Sequence, residues 1–370
     1  MSQPIAIISR SCIFPESPSP QALWKNLLKG RDLLSKPEPT RWRARPSAAM
    51  GNPDWDNPGG YVRGFDDIFD ADQFDLDADV ITSLDPLFQW VLHTAKEAYR
   101  PINRAEDGDL AVLLGNLSLP SEGLSKWTEA VWQGGEEPAT LNRYMSGLPA
   151  HLVGPALGRR ADAFSLDAAC ASSLYAIGLG CEKLREQRAD IVLAGAVNRA
   201  DPLFLNIGFQ ALQALSPSGR SRPFHRGADG LIPTEGAAFV GLKRLDDAID
   251  SGDDILGVIH GVGLSNDGRS DGLLAPASAG QIRAIEKAYE QSDIAPDDVS
   301  YIECHATGTP VGDGREIESL AAVFSDDRPV SVGSHKSNMG HSITAAGMAG
   351  PPQGVGRHGA LHAPADDPRR

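Results

Sequence analysis

The feature that most constrains this chain is the alternation of short apolar runs with amphipathic stretches from residue 161 onward. Ala161–Leu166, Asp190–Ala196, Gly236–Leu242, Ile255–Leu264, Val299–Cys304 and Val330–Gly333 read as strands. Ala171–Arg185, Ala279–Gln291 and Gly314–Phe324 have helical spacing. Strands alternating with helices predict an α/β layered fold. Upstream, Pro4–Cys12 and Asp109–Gly115 read as strands. Ser19 and Pro20 cap and open a helix with Leu23, Trp24, Leu27 and Leu28 on one face. Val80–Tyr99 reads as one helix, Ser121–Val153 as mostly helical, and 36–77 as an ordered excursion whose aromatics need burial. Two βα halves meet near residue 250, so the expected division is 1–250, 251–350 and a disordered, proline-rich tail at 351–370.

Composition narrows the function. The chain has 34 basic and 49 acidic residues, a net charge of −15, which argues against nucleic acid or an anionic membrane as partner. No run approaches the ~20 apolar residues of a membrane helix. Met1–Ile8 has no basic region ahead of its apolar run and does not read as a secretory signal. Four cysteines are too few for a disulfide scaffold, so reduced thiols in a cytoplasm are expected. No CxxC or HExxH spacing suggests a metal.

Three segments carry chemistry. In SLDAACASSLYAIGLG, Cys170 falls where a strand ends and a small-residue helix begins. The positive end of that helix favours thiolate, and the flanking small residues allow close approach. A buried structural cysteine is the equal alternative from local sequence; Cys12, Cys181 and Cys304 get that reading. In YIECHATGTPVGDGREIESL, His305 follows a strand, where open α/β sheets bind ligands, although a lone histidine there is more often structural. Thr307 and Thr309 could donate to a ligand; Asp313 and Glu316 read as helix caps. In SVGSHKSNMGHSITAAGMAG, Lys336 and His341 follow another strand, His335 is incidental, and Ser342–Gly350 reads as a small-residue helix.

Together these blocks resemble β-ketoacyl synthase domains of the thiolase superfamily, through DAACASSL, ECHATGTPVGD and SHKSNMGHSITAAG. PIAIISRSCIFP, SLDP, ALSPSGRSRPFHRGADG and TEGAAFVGLKRL agree, so the resemblance runs from about residue 3 to 350. The type is similar to polyketide synthases, with SLDPLFQWVLHTAKEA and LIPTEGA similar to polyunsaturated fatty-acid-type synthases.

The resemblance implies a five-layer αβαβα fold of two similar halves. It implies that Cys170 takes an acyl chain as a thioester. A malonyl-type thioester on the phosphopantetheine arm of an acyl carrier protein then loses its carboxylate and condenses with that chain. His305 and His341 would donate to the developing oxyanion, Lys336 would tune them, and Thr307 and Thr309 would line the pantetheine channel. No bound cofactor or metal is implied, and the chain is expected to form a homodimer through Ala161–Leu166. Phe209 and Met145 are placed near the acyl tunnel. Two features depart from the pattern. His225 follows Pro223-Phe224 where the family has Asp. Residues 351–370 stand where a C-terminal GFGGTNAH-type block is expected, so the second half reads as incomplete, with a non-catalytic remnant as the alternative. A papain- or caspase-type hydrolase is disfavoured, because their local signatures are absent and a second His and a Lys are present. Arg220, Arg222 and Arg226 form either a solvated loop or a contact for an acidic carrier protein.

Overall fold

A computed structural model describes residues 3–350, except 39–40, 43, 53–54, 56–57, 104–107, 136–138, 270–274 and 326–327. The expected tail at 351–370 lies outside the described residues. The strands are β1 (Ile5–Ile13), β2 (Leu110–Asn116), β3 (Ala161–Leu166), β4 (Ile191–Asn198), β5 (Gly236–Arg244), β6 (Gly257–Ile259), β7 (Tyr301–Glu303) and β8 (Ser331–Gly333).

The first six form one mixed sheet in the order β3-β2-β4-β5-β1-β6, with β2 parallel to both β3 and β4 and the other pairs antiparallel. Every residue of β2 and β4 is buried, which explains their unbroken apolar sequence. Alternate side chains serve opposite faces. Val112 and Leu114 join Phe88, Val91 and Val153 in one core, whereas Ala111 and Leu113 join Leu23, Ala176 and Cys181 in the other. The Pro86–Tyr99 and Leu148–Ala156 helices therefore cover one face, and the Ser172–Arg185 helix covers the other.

Beyond that last helix lies the second half. Gly178 faces Val262 and Leu264, while Gly261 and Gly263 face the backbone of the Ser278–Glu290 helix. The layer order is thus helix, sheet, helix, extended chain, helix, the αβαβα arrangement. β7 and β8 pair in parallel as a separate sheet, two-stranded among the described residues.

Several expected elements differ. Val80–Tyr99 is two helices, Ala78–Ser83 and Pro86–Tyr99, because Asp85 caps the second through Leu87 N–H at 2.7 Å and Pro86 opens it. The Ile255–Leu264 strand shrinks to β6. Ser342–Gly350 is a 3-10 turn followed by one helical turn, Ala346–Ala349. The excursion is anchored as its aromatics require. Trp42, Phe65 and Phe74 are buried, and the Arg41 guanidinium bridges Glu122 (3.0 Å) and Glu235. Among the described residues, no helix is long and apolar enough to cross a membrane.

Candidate active site

The site is built from segments that follow strand ends. After β3, Asp167 accepts from the N–H groups of Ser118 (2.8 Å) and Ala169 (2.9 Å). Ser172 Oγ accepts from Ala168 N–H at 2.9 Å and donates to Ala169 O at 2.7 Å. These bonds hold Ala169 at φ +49°, a left-handed conformation that costs a non-glycine residue about 1–2 kcal/mol. Cys170 therefore projects from the 3-10 turn Ala169–Ala171, just ahead of the Ser172–Arg185 helix. The neighbouring small residues serve packing. Ser172 lies against Gly115, and Ser173 Oγ accepts from Gly347 N–H at 3.0 Å.

After β7, both oxygens of Glu316 hold the next loop, accepting from His305 N–H (2.6 Å) and Ala306 N–H (2.7 Å). Asp313 accepts from Gly308 N–H (3.1 Å) and Phe224 N–H (2.8 Å), tying the 216–230 loop to the same place. Neither acid caps the helix as expected; the cap position is Thr309. Thr307 and Thr309 hydroxyls lie 3.1 Å apart beside His305 in sequence.

After β8, a single turn, Lys336–Met339, ends at Gly340 with φ +77°. A Cβ there would sit 2.6 Å from Ile232 O, so the position requires glycine. His341 is pinned on both sides. Its N–H donates to Ile232 O at 2.7 Å, and its carbonyl accepts from Thr234 N–H at 2.8 Å.

These segments converge. His341 Nε2 lies 3.0 Å from Cys170 Sγ. The His305 and His341 rings are 5.2 Å apart and nearly perpendicular, at 86°. The ligating atoms of Cys170, His305 and His341 all lie within 4.8 Å of one another. Lys336 is buried close by, with Nζ donating to Cys304 O at 3.3 Å. The same three ligating groups could meet a metal ion, but two features argue against it. The Lys336 cation acts on the cluster. His341 Nδ1 lacks a partner among the described residues, whereas metal-bound imidazoles keep a hydrogen bond at the second nitrogen.

The electrostatics favour neutral imidazoles. Burial, then His305 and Lys336, hold His341 well below the usual histidine range. The surrounding protein, then Lys336, push His305 the same way, although the residue as a whole is exposed. Lys336 is lowered by burial, against the pull of Glu303 and then Glu316. Burial pushes the Cys170 thiol up to about 11, with Lys336 pulling it down. This corrects the expectation that the helix start makes Cys170 a thiolate on its own: desolvation outweighs the positive groups. Cys170 is still the least raised of the four cysteines. Burial pushes Cys181 and Cys304 up to about 12 and Cys12 higher still.

Cys170 packs against a small apolar cluster of Ala200, Leu205 and Ile343, with Leu117, Leu119 and Phe209 at its edge. Phe209 thus packs against the same small cluster as Cys170. Met145 is in the opposite core, its carbonyl accepting from Asn116 Nδ2 at 2.7 Å. Sequence reading missed Ile343, whose φ of +48° is rare for a β-branched residue and leaves no sequence signal. It also missed a network under Lys336. Glu303 Oε1 accepts from His335 N–H (2.8 Å) and bonds His335 Nδ1 (2.7 Å), while Glu303 Oε2 accepts from Tyr301 Oη (2.6 Å). Of the arginine cluster, Arg222 Nη1 donates to Gly227 O at 3.2 Å, and Arg220 and Arg226 are exposed.

Known proteins are similar to this chain along nearly its whole length. The family described as beta-ketoacyl synthase, N-terminal domain, matches residues 2–248, and the corresponding C-terminal domain matches 256–352. A phenolphthiocerol/phthiocerol polyketide synthase chain of Mycobacterium tuberculosis is 36% identical over 94% of this chain and 20% of its own length. The PKS-NRPS hybrid synthetase ATPKS of Aspergillus niger is 34% identical over 94% of this chain and 19% of its own. The chain thus spans about a fifth of these curated relatives. Among solved structures, the PfaC keto synthase-chain length factor is similar with TM-score 0.87 and 35% identity, over 94% of this chain and 41% of that one. The ketosynthase from module 6 of the bacillaene synthase of Bacillus subtilis 168 gives 0.80 and 29%, over 95% and 60%. With a cysteine and two histidines converging on this thiolase-like αβαβα frame, the chain belongs to the β-ketoacyl synthase family.

Proposed function

We propose that this chain is a condensing acyltransferase of polyketide or related fatty-acid biosynthesis. The observation that carries the proposal is the 3.0 Å contact between Cys170 Sγ and His341 Nε2, with His305 beside it and buried Lys336 acting on all three. Residues 1–250 bring the cysteine and 251–350 bring the other three.

The chemistry follows in two stages. The Cys170 thiol gives up its proton as it attacks an acyl thioester; a C–S bond to Cys170 forms, the donor's C–S bond breaks, and the donor sulfur takes up the proton and leaves as a thiol. A malonyl-type thioester on the phosphopantetheine arm of an acyl carrier protein then enters past Thr307 and Thr309. It loses carbon dioxide, and the electron pair becomes an enolate. Neutral His305 and His341 donate N–H bonds to that oxygen, and each such donor is worth roughly 3–4 kcal/mol. The enolate carbon attacks the acyl-Cys carbonyl, the C–S bond breaks, and Cys170 returns as thiolate. The apolar cluster of Ala200, Leu205, Ile343 and Phe209 receives the start of the acyl chain. Two further points belong to the same reading. β3 pairs on one side only among the described residues, which leaves an edge for a second copy in a homodimer. The four cysteines are free, which suits a reducing cytoplasm.

The test is intact-protein mass spectrometry after incubation with a short acyl-thioester donor, with Cys170→Ala as control, alongside a thermal unfolding trace. One acyl adduct that vanishes in the variant supports the reading. A cooperatively folded chain that takes no adduct overturns it for this polypeptide and favours a non-catalytic role.

A further inference from the structure

The mechanism leaves one buried group of the site region unused. His335 is 6% exposed and immediately precedes Lys336. Its backbone N–H and its Nδ1 both meet one oxygen of Glu303, at 2.8 and 2.7 Å. Tyr301 Oη donates to the other oxygen at 2.6 Å. Both carboxylate oxygens are therefore held, from two chain segments. Glu303 in turn is the acidic group that acts most strongly on Lys336, ahead of Glu316 on the Pro310–Val323 helix. Asp313, Cys170 and Cys304 also interact with Lys336, and the cation is felt by His305, His335 and His341 as well.

The direction of proton sharing follows from burial. His335 is held below the usual histidine range by burial and by Lys336, against the pull of Glu303. It is therefore a neutral ring donating Nδ1–H to an ionised carboxylate. Its Nε2 has no partner among the described residues, so the Glu303 contact is what fixes the ring. A residue serving only to fill space here would be apolar. An imidazole with one nitrogen unpaired in the interior costs stability, which the bond from its other nitrogen to a carboxylate offsets.

We propose that His335 is a positioning residue for Lys336: by holding Glu303 with two N–H groups, it keeps a fixed negative charge where the buried ammonium needs one. Lys336 then stays charged, and its charge favours the Cys170 thiolate. This rests on the reading of Cys170 as the nucleophile, but not on the condensation chemistry. The chain of effect runs from His335 through Glu303 and Lys336 to Cys170; His335 itself touches no reacting atom in this scheme.

The experiment follows Cys170 alkylation by iodoacetamide, by peptide mapping across a pH series, in wild type, His335→Val, His335→Asn and Glu303→Gln. Asn retains an N–H in the place of Nδ1. Expected are a midpoint for His335→Val moved to higher pH by about half a unit or more, about threefold slower alkylation at a fixed pH below it, and a return toward wild type in His335→Asn. Glu303→Gln should move the midpoint in the same direction. A folded His335→Val whose profile superimposes on wild type overturns the proposal. So does a Glu303→Gln profile that does not move, which remains decisive if His335→Val fails to fold. Because alkylation needs no acyl donor, a chain that shows the shift but takes no acyl adduct would sink the proposed condensation and leave this inference standing.

Discussion

Cys170 Sγ and His341 Nε2 meet at 3.0 Å although 171 residues separate them in the chain. The contact depends on two unusual backbone positions, Ala169 at φ +49° and Gly340 at φ +77°. One turns Cys170 out beyond the end of β3; the other turns the imidazole toward it.

Alkylation should single out Cys170. It is partly exposed and its thiol is raised to about 11, whereas Cys181 and Cys304 are buried and raised to about 12. One pH unit in pKa is about tenfold in thiolate at a given pH, and access adds to it. A time course of iodoacetamide labelling read by peptide mapping should show Cys170 first. Equal rates at all four cysteines would remove the nucleophile assignment.

Lys336→Met should raise the Cys170 pKa further. The lysine lowers it now, and the isosteric replacement keeps the packing while deleting the cation. The pH profile of alkylation should move up by about one unit or more, with condensation falling in parallel. An unmoved profile would mean that Lys336 acts only as packing.

His305→Ala should separate the two stages of the proposed reaction. His305 is not the histidine in contact with Cys170 Sγ, so acyl transfer from a thioester donor should survive. Decarboxylation of a malonyl-type thioester should fall by about 10²–10³ for the loss of one oxyanion donor. Adduct mass and carbon dioxide release, measured on the same sample, check this.

Stability should fall as pH drops below about 6.5. The folded chain holds His341 neutral and almost fully buried, whereas the unfolded chain protonates it near the ordinary histidine value. A depressed folded pKa means that the unfolded state binds more protons between the two values. Stability is therefore present above that window and lost within it, at up to about 1.4 kcal/mol per pH unit for one such histidine. His341→Asn should flatten the fall in thermal midpoint between about pH 6.5 and 5 relative to wild type. Parallel curves for the two proteins would contradict a neutral buried His341.

Gly340→Ala should destabilise the site more than its size suggests. The backbone at φ +77° and ψ −164° is essentially restricted to glycine and costs a side chain about 1–3 kcal/mol, and the new Cβ meets Ile232 O at 2.6 Å. Because Ile232 O also receives His341 N–H, relief of that clash displaces the histidine. Both the unfolding midpoint and the Cys170 alkylation rate should drop.

The sequence was most informative where local chemistry repeats. β2 and β3 fall within a residue of their expected ends because short runs bounded by turn and polar residues match the length of a strand. Ser19 and Pro20 marked a helix start, since a side-chain cap and a fixed φ act within one turn. Cys170, His305, Lys336 and His341 were legible as reactive types at strand ends. Their convergence was not legible from spacing and entered through family resemblance. What only the tertiary structure decided is the set of opposing environments: which thiol is least raised, why Asp313 and Glu316 hold loops instead of capping a helix, and why His335 pairs with Glu303. Each depends on burial and on charges brought from distant segments. A residue's type is fixed by the chain alone, but the free energy of its charge is fixed by the solvent it loses and the partners it gains.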